Sequence, residues 1–531
     1  MSKVITAKQA AELIRDGDCI AWTTAGLCGF AEYVAAAIET RFLETQTPRN
    51  LTLFHCCGCG DHKDRGTNHL GYEGLVTKVV SGHIGEAPKV GKLINEKKAE
   101  CHLLPQGVLT HLLRQMAGKK PGVLTKVGLG TFVDPRNGGG KVNDITKDEL
   151  VELVNFIDGE EYLYFKPLKQ INVAVIRGST ADVNGNMTMD REALFLEALP
   201  LAMATKATGG IVIAQVMDVA KAGTLHPKRV KVPAALVDYV VPAPIEHHMQ
   251  TKKTHFIEAF CGDSKMPMDA LPVLPLTERK VICRRAAMEL EPNTLLNLGI
   301  GMPDGVASVC AEEGVLDLLT MSTELGNFGG MPGGGPDFPA SYNSECTIDH
   351  PYMFDFYDGG GLDACVLGMA EVDAVGNVNV SKFGPRVTGP GGFINISSTA
   401  RKVVFVGTLT SGLEYKVEDG TIKFIPAKDK KDPSKDAKQI IKFVESVEQI
   451  TFSGEYGAKS GRKIMYVTER AVFELRPEGL TLVEIAPGLD PEKDVFAVMG
   501  FKPLVAKDLK EMPKGIFMPT WGELGEIMGK K

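Results

Sequence analysis

The chain has 531 residues, 44% of them hydrophobic and 24% charged, and a net charge of −7. That length is too great for one core, so two or three domains are expected. The acidic balance argues against nucleic acid or an anionic membrane as partner. No run of about 18 apolar residues occurs, so no membrane-spanning helix is predicted.

Met1–Ile5 does not lead into the apolar core of a secretion signal. The eleven cysteines are mostly single and in apolar contexts, such as Cys283, Cys310 and Cys365. This suits reduced, buried thiols and predicts a cytoplasmic location.

Along the chain, short β-branched runs alternate with longer amphipathic stretches. Asp18–Trp22 reads as a strand that leads through Gly26-Leu27-Cys28-Gly29 into an alanine-rich helix. Leu51–Phe54 reads as another strand. It is followed by His55-Cys56-Cys57-Gly58-Cys59-Gly60-Asp61-His62, a dense set of metal-ligand residue types. No second Cys-x-x-Cys pair accompanies it, so a glycine-rich turn without metal is the plainer reading. Gln106 lies between Pro105 and Gly107, where its amide could donate to an oxyanion or simply belong to a turn.

Val173–Ile176 and Gly210–Ala214 read as buried strands, and Glu192–Leu199 between them as a helix. Strand–helix–strand alternation predicts an α/β fold with largely parallel sheets. The strand at 173–176 is followed by Asp182-Val183-Asn184-Gly185-Asn186. The run Ala364–Leu367 is followed, at the same spacing, by Asp373-Ala374-Val375-Gly376-Asn377. Each copy leads on to a further strand, Gly210–Ile213 in the first and Lys402–Val406 in the second. A second pair matches as well: Thr294–Leu298 and its glycine turn Gly299–Gly305 correspond to the segment that begins at Asp18. An internal duplication is therefore expected, giving two related open α/β domains at 1–240 and 280–531. The stretch 241–279 carries Pro242, Pro244, His247, His248, Pro267, Pro272 and Pro275, as an inter-domain linker would.

The spacing of Gly299, Gly301 and Gly305 is one residue longer than a dinucleotide-binding fingerprint. It reads better as a strand-to-helix turn. The charged run Lys428–Asp436 reads as an exposed loop. Thr320–Ser322 ends an apolar run, and Thr323-Glu324-Leu325-Gly326 follows it. Glu324 there is a carboxylate among small and apolar residues with no evident packing task. It is a candidate nucleophile as readily as a solvated loop acid. Gly359-Gly360-Gly361-Leu362 and Gly389-Pro390-Gly391-Gly392-Phe393 leave backbone N–H groups open to a carbonyl or phosphate oxygen, or are ordinary turns.

Taken together the motifs resemble the family I coenzyme A transferases, in particular the acetate and propionate branch. The likeness rests on Gln106-Gly107, Gly128–Arg136, Glu324 and its glycine-rich loop, Tyr357–Asp363, Gly391–Ile396, Val467–Phe473 and Glu484–Gly488. One departure stands out. Many members carry Ser-Glu-Asn-Gly where this chain has Thr323-Glu324-Leu325-Gly326. The resemblance implies an enzyme that moves coenzyme A between short-chain acyl-CoA and a carboxylate through a glutamyl-CoA thioester on Glu324. Gln106 and backbone N–H groups near Gly391 and Gly392 would be the oxyanion donors. Gly389, Gly361 and Asn297 would join them in holding substrate or coenzyme A. Coenzyme A is implied as a co-substrate, with no resident cofactor or metal. The site is expected at the domain interface and the protein as a homo-oligomer, a tetramer by resemblance. An acyl-CoA hydrolase on the same scaffold and a non-catalytic CoA-binding protein are the competing readings.

Overall fold

The computed structural model describes residues 2–155, 159–267 and 273–529. Pro272 of the expected linker lies outside them. The chain forms two compact units, each assembled from separated segments. The first takes in Met1–Met266, Thr323–Asp358 and Ser381–Asn395, and the second Pro267–Ser322, Gly359–Val380 and Ile396–Lys531. Gln106 and Glu324, which lie in different halves of the sequence, thus belong to one unit.

The first unit is built on a 9-stranded sheet. Its strands are β1 (Cys19–Trp22), β2 (Leu51–His55), β3 (Val76–Ser81), β4 (Glu100–Leu103), β5 (Val173–Asp182), β6 (Met187–Thr188), β7 (Ile211–Ala220), β8 (Val230–Val232) and β9 (Tyr239–Pro242). The order is β8-β6-β5-β1-β2-β3-β4, with β7 bonded to β5 and β9. β5, β1, β2, β3 and β4 pair in parallel, as do β7 with β5 and β9. The continuous apolar runs of β1 and of the first four residues of β5 follow from burial on both faces.

The second unit repeats the arrangement with β10 (Leu295–Leu298), β11 (Thr320–Ser322), β12 (Ala364–Gly368), β13 (Lys402–Val406), β14 (Lys463–Val467), β15 (Ala471–Arg476), β16 (Gly479–Ile485) and β17 (Leu504–Glu511). Their order is β11-β10-β12-β13-β14-β15-β16-β17, parallel from β11 to β14. The register reproduces the duplication. β1 sets Ile20, Ala21 and Trp22 against Val173, Ala174 and Val175, and β10 sets Leu296, Asn297 and Leu298 against Ala364, Cys365 and Val366. On the other side of the repeat strand, Ile211 faces Val173 and Lys402 faces Ala364.

The Asp-x-x-Gly-Asn turns agree atom by atom. Asp182 Oδ1 accepts the N–H of Asn184 and of Asn186, each at 3.0 Å, and its Oδ2 accepts Asn186 Nδ2 at 2.9 Å. Asp373 accepts the N–H of Val375 and Asn377 at 3.2 and 3.0 Å, and Asn377 Nδ2 at 2.9 Å. The Asn side chain then ties down a remote backbone N–H, that of Ala234 in one unit and Gly454 in the other. An Asx turn of this kind replaces backbone pairing with side-chain acceptors, which explains why both copies keep the same polar residues.

No helix forms over most of Glu192–Leu199, where one was expected. The helix runs Ala198–Ala207. Glu192 is instead held in a buried pair with Arg177, whose Nε and Nη2 donate to its two oxygens at 3.0 and 2.5 Å. Leu196 adopts a left-handed φ of 50°. Residues 192–197 form turns and bends instead of a helix, and they end in the fully buried Glu197.

Candidate active site

The candidate site residues of the first unit gather beyond the carboxyl ends of parallel strands, where open α/β sheets bind their ligands. β2 runs into Cys56-Cys57, β3 into Gly82, and β4 through Pro105 into the helix Gln106–Ala117. Packing here is tight. A Cβ on Gly82 would strike the Cys56 carbonyl and come within 3.4 Å of Gln106 Cα. Gly82 O accepts the Gly391 N–H at 2.8 Å, and Gly391 O accepts the Gln106 N–H at 3.0 Å. Gly389 is left-handed at φ 93° and donates to Ser381 O at 3.2 Å. The loop 389–392 is thereby stitched to the first residue of the helix.

This stitching changes the set of backbone donors. The Gly391 N–H is occupied by Gly82. The Gly392 N–H meets no acceptor among the described residues. Of the two glycines, only Gly392 keeps its donor available.

Gln106 is buried. Its Nε2 lies 2.9 Å from His350 Nε2, and His350 Nδ1 lies 2.7 Å from Glu197 Oε2. His350 and Glu197 are fully buried. His350 opens the helix His350–Asp358, and its N–H donates to Leu196 O at 3.0 Å. Neither Glu197 nor His350 stood out in the sequence. Their only local marks are an acid just ahead of an alanine-rich helix and a histidine just ahead of a proline.

Glu324 follows β11 in a turn closed by Gly326 N–H to Thr323 O at 3.0 Å. Gly326 has φ 126°, and a Cβ there would collide with Ile348 O. The turn therefore requires glycine. Glu324 is partly exposed, while its neighbour Leu325 is fully buried among Ala25, Cys28, Leu194, Leu196 and Phe260. At the position of the family's Asn, this chain has a packing residue. Glu324 also acts on the β2 loop. Burial first, and then the charges of Glu86, Glu324 and Glu197, push the Cys57 thiol well up. Cys57 is thus held as a neutral thiol beside three carboxylates.

In the segment His55–His62, His55 Nδ1 lies 2.9 Å from Ser81 Oγ and 2.6 Å from Cys57 O. Burial lowers its pKa to about 4. Gly58 O and Gly60 N–H bond to the backbone of Gly26. Among the described residues no set of three or more His, Cys, Asp or Glu is grouped to hold a metal. Asn395, in the helix Phe393–Thr399, links it to the helices Gln106–Ala117 and His350–Asp358. Its Oδ1 accepts the Gly107 N–H at 3.1 Å, and its Nδ2 faces both Asp358 oxygens at 3.0 and 3.1 Å.

Asn297 and Gly361 belong to the second unit. Asn297 is buried, and its Nδ2 donates to Ser322 O at 3.3 Å, a bond between the neighbouring strands β10 and β11.

The fold is an α/β one in which Gln106, Glu324 and Gly392 belong to a single compact unit. Comparison with known proteins gives the class. Residues 4–243 match the Coenzyme A transferase family model. The chain is 50% identical over 536 residues to caffeate CoA-transferase of Acetobacterium woodii, covering all of both chains. It is 40% identical over 520 residues to acetate CoA-transferase YdiF of Escherichia coli K12, covering 97% of this chain and 95% of the relative. A crystal structure of the acyl-CoA transferase YdiF from E. coli O157:H7, a thioester complex with CoA, superposes with a TM-score of 0.90 at 38% identity, covering 98% and 97% of the two chains. The chain belongs to the coenzyme A transferase family and is an enzyme of that type.

Proposed function

We propose that the chain transfers coenzyme A from a short-chain acyl-CoA to a carboxylate such as acetate or propionate, with Glu324 as covalent nucleophile. The observation that carries this reading is Glu324 itself. A glycine-closed turn leaves Glu324 partly exposed, in the same compact unit as the Gln106 amide and the Gly392 N–H. The relative described as a thioester complex with CoA supports the covalent route.

In this route a Glu324 oxygen attacks the thioester carbonyl. The C–S bond breaks, leaving a mixed anhydride and CoA thiolate. The thiolate attacks the Glu324 carbonyl, the anhydride C–O bond breaks, the first acid leaves, and a glutamyl-CoA thioester remains. An incoming carboxylate runs the two steps backwards, which is ping-pong catalysis. Each attack places negative charge on a carbonyl oxygen. Donors aimed there are worth on the order of 3 kcal/mol apiece, and Gln106 and Gly392 are the residues assigned. In this reading Gly389, Gly361 and Asn297 hold substrate or coenzyme A. Coenzyme A is a co-substrate in this scheme and no resident cofactor is needed.

The acid is the open choice between two relatives. The name of the 50% identical relative favours an aryl acid, caffeate, as a second reading. A matrix of acetyl-, propionyl- and caffeoyl-CoA donors against acetate, propionate and caffeate decides between them. Borohydride reduction after acyl-CoA is added should modify Glu324. An unmodified Glu324 under turnover sinks the covalent route, and an adduct discharged only by water makes the protein a hydrolase. No helix among the described residues is long and apolar enough to cross a membrane. We infer a cytoplasmic homo-oligomer, a tetramer, with mass photometry and cell fractionation as the checks.

A further inference from the structure

We propose that Glu197 and His350 form a buried positioning pair that fixes the side-chain amide of Gln106, so that one of its N–H bonds is committed to His350 and the other faces the developing oxyanion. The inference rests on the reading of Gln106 as an oxyanion donor.

The hydrogen-bond inventory dictates the orientation. An ionised carboxylate only accepts, so Glu197 Oε2, 2.7 Å from His350 Nδ1, requires a proton on Nδ1. In the neutral ring Nε2 is then a lone pair. The Gln106 atom 2.9 Å from it must be a donor, which is Nε2 and not Oε1. Rotating the amide by half a turn would set a carbonyl oxygen against a lone pair. A Cβ on Gly391 would lie 3.6 Å from Gln106 Oε1, so the amide oxygen is turned toward Gly391. Backbone bonds secure both ends of the relay. Gln106 N–H is held by Gly391 O, and His350 N–H by Leu196 O, one residue before Glu197.

The pair is costly to bury. Glu197 and His350 are fully enclosed, and Glu197 Oε1 has no hydrogen-bond partner among the described residues. Apolar side chains of similar volume would hold such a place at least as well. A carboxylate and an imidazole there are better explained by the orientation they impose than by the stability they add.

Steady-state kinetics with acetyl-CoA and propionate test this on His350→Phe, His350→Gln and Gln106→Ala, alone and combined. His350→Phe removes the acceptor at similar volume. Its kcat should fall by about 10- to 100-fold, with KM for acetyl-CoA within about 2-fold of wild type. His350→Gln presents a side-chain oxygen to the Gln106 amide and should recover part of that loss. In the Gln106→Ala background, His350→Phe should cost less than about 2-fold, because the group it positions is gone. If Gln106→Ala is impaired and His350→Phe adds its whole loss on top, the relay falls and the donor stands. If Gln106→Ala keeps full kcat, the donor reading falls and the relay with it. Borohydride labelling of Glu324 reports on the nucleophile independently of both. Should His350→Phe fail to fold, Glu197→Gln takes its place in the same cycle, with the same two outcomes.

Discussion

Gln106 and His350 are separated by 244 residues of chain, yet their Nε2 atoms stand 2.9 Å apart in a buried contact. The bond joins the first residue of the helix Gln106–Ala117 to the first residue of the helix His350–Asp358. It sets a neutral amide donor at the carboxyl ends of β3 and β4, beside a loop that has already given the Gly391 N–H to Gly82.

Gln106→Ala tests the donor. With one of two donors removed, kcat should fall by about 100- to 1000-fold, while KM for acetyl-CoA changes little. Gln106→Glu should be at least as impaired, because a carboxylate there repels the oxyanion. A loss confined to KM would mean that Gln106 binds substrate instead of stabilising charge.

Glu324→Gln should lower kcat by at least about 1000-fold, the loss expected when a covalent nucleophile is replaced. The residue is partly exposed on a turn closed by backbone bonds, so thermal stability should stay close to wild type. Intact-protein mass spectrometry after acetyl-CoA is added should show a CoA adduct on wild type and none on the variant. An adduct of equal yield on both proteins would place the covalent chemistry elsewhere.

Asp358 gives the fold a pH dependence. Burial, opposed by His111 and Asn395, raises its pKa to about 6. The unfolded carboxyl titrates near the ordinary value, so the folded chain holds the proton more tightly between those limits. The contribution is complete below about pH 4 and is lost as pH rises through 6. Its full size is on the order of 3 kcal/mol. Asp358→Asn removes the titration. Its stability relative to wild type should therefore improve from about pH 4 to about pH 6 and level off above that in denaturant melts. A constant difference across that range would show that the carboxyl does not titrate there.

The parts of the fold legible in sequence are those with a local rule. The Asp-x-x-Gly-Asn turns announced the duplication because one side chain satisfies several neighbouring N–H groups. The Glu324 turn also has a local cause, since only glycine takes the backbone of Gly326 against Ile348 O. What could not be read depends on remote partners. The alternation of strand and helix suggested a helix at 192–199, but Arg177, on β5, claims Glu192. Gly391 looked like a free donor until Gly82 arrived from β3. Glu197 and His350 have no shared signature, since each acquires its role only from the other and from Gln106.

Leu325 stands where many family members carry Asn, and its surroundings decide what restoring that residue would do. The side chain is fully buried against Ala25, Cys28, Leu194 and Leu196. Leu325→Asn removes apolar contacts and encloses an amide in an apolar cluster. The expected cost is about 3–5 kcal/mol, read as a lower denaturation midpoint, with kcat no better than wild type in the folded fraction. Leu325→Met, which keeps the volume, should cost less than about 1.5 kcal/mol and leave kcat unchanged. If Leu325→Asn instead kept its stability and raised kcat, the side chain at this position would take part in the chemistry of Glu324, and its packing role would be secondary.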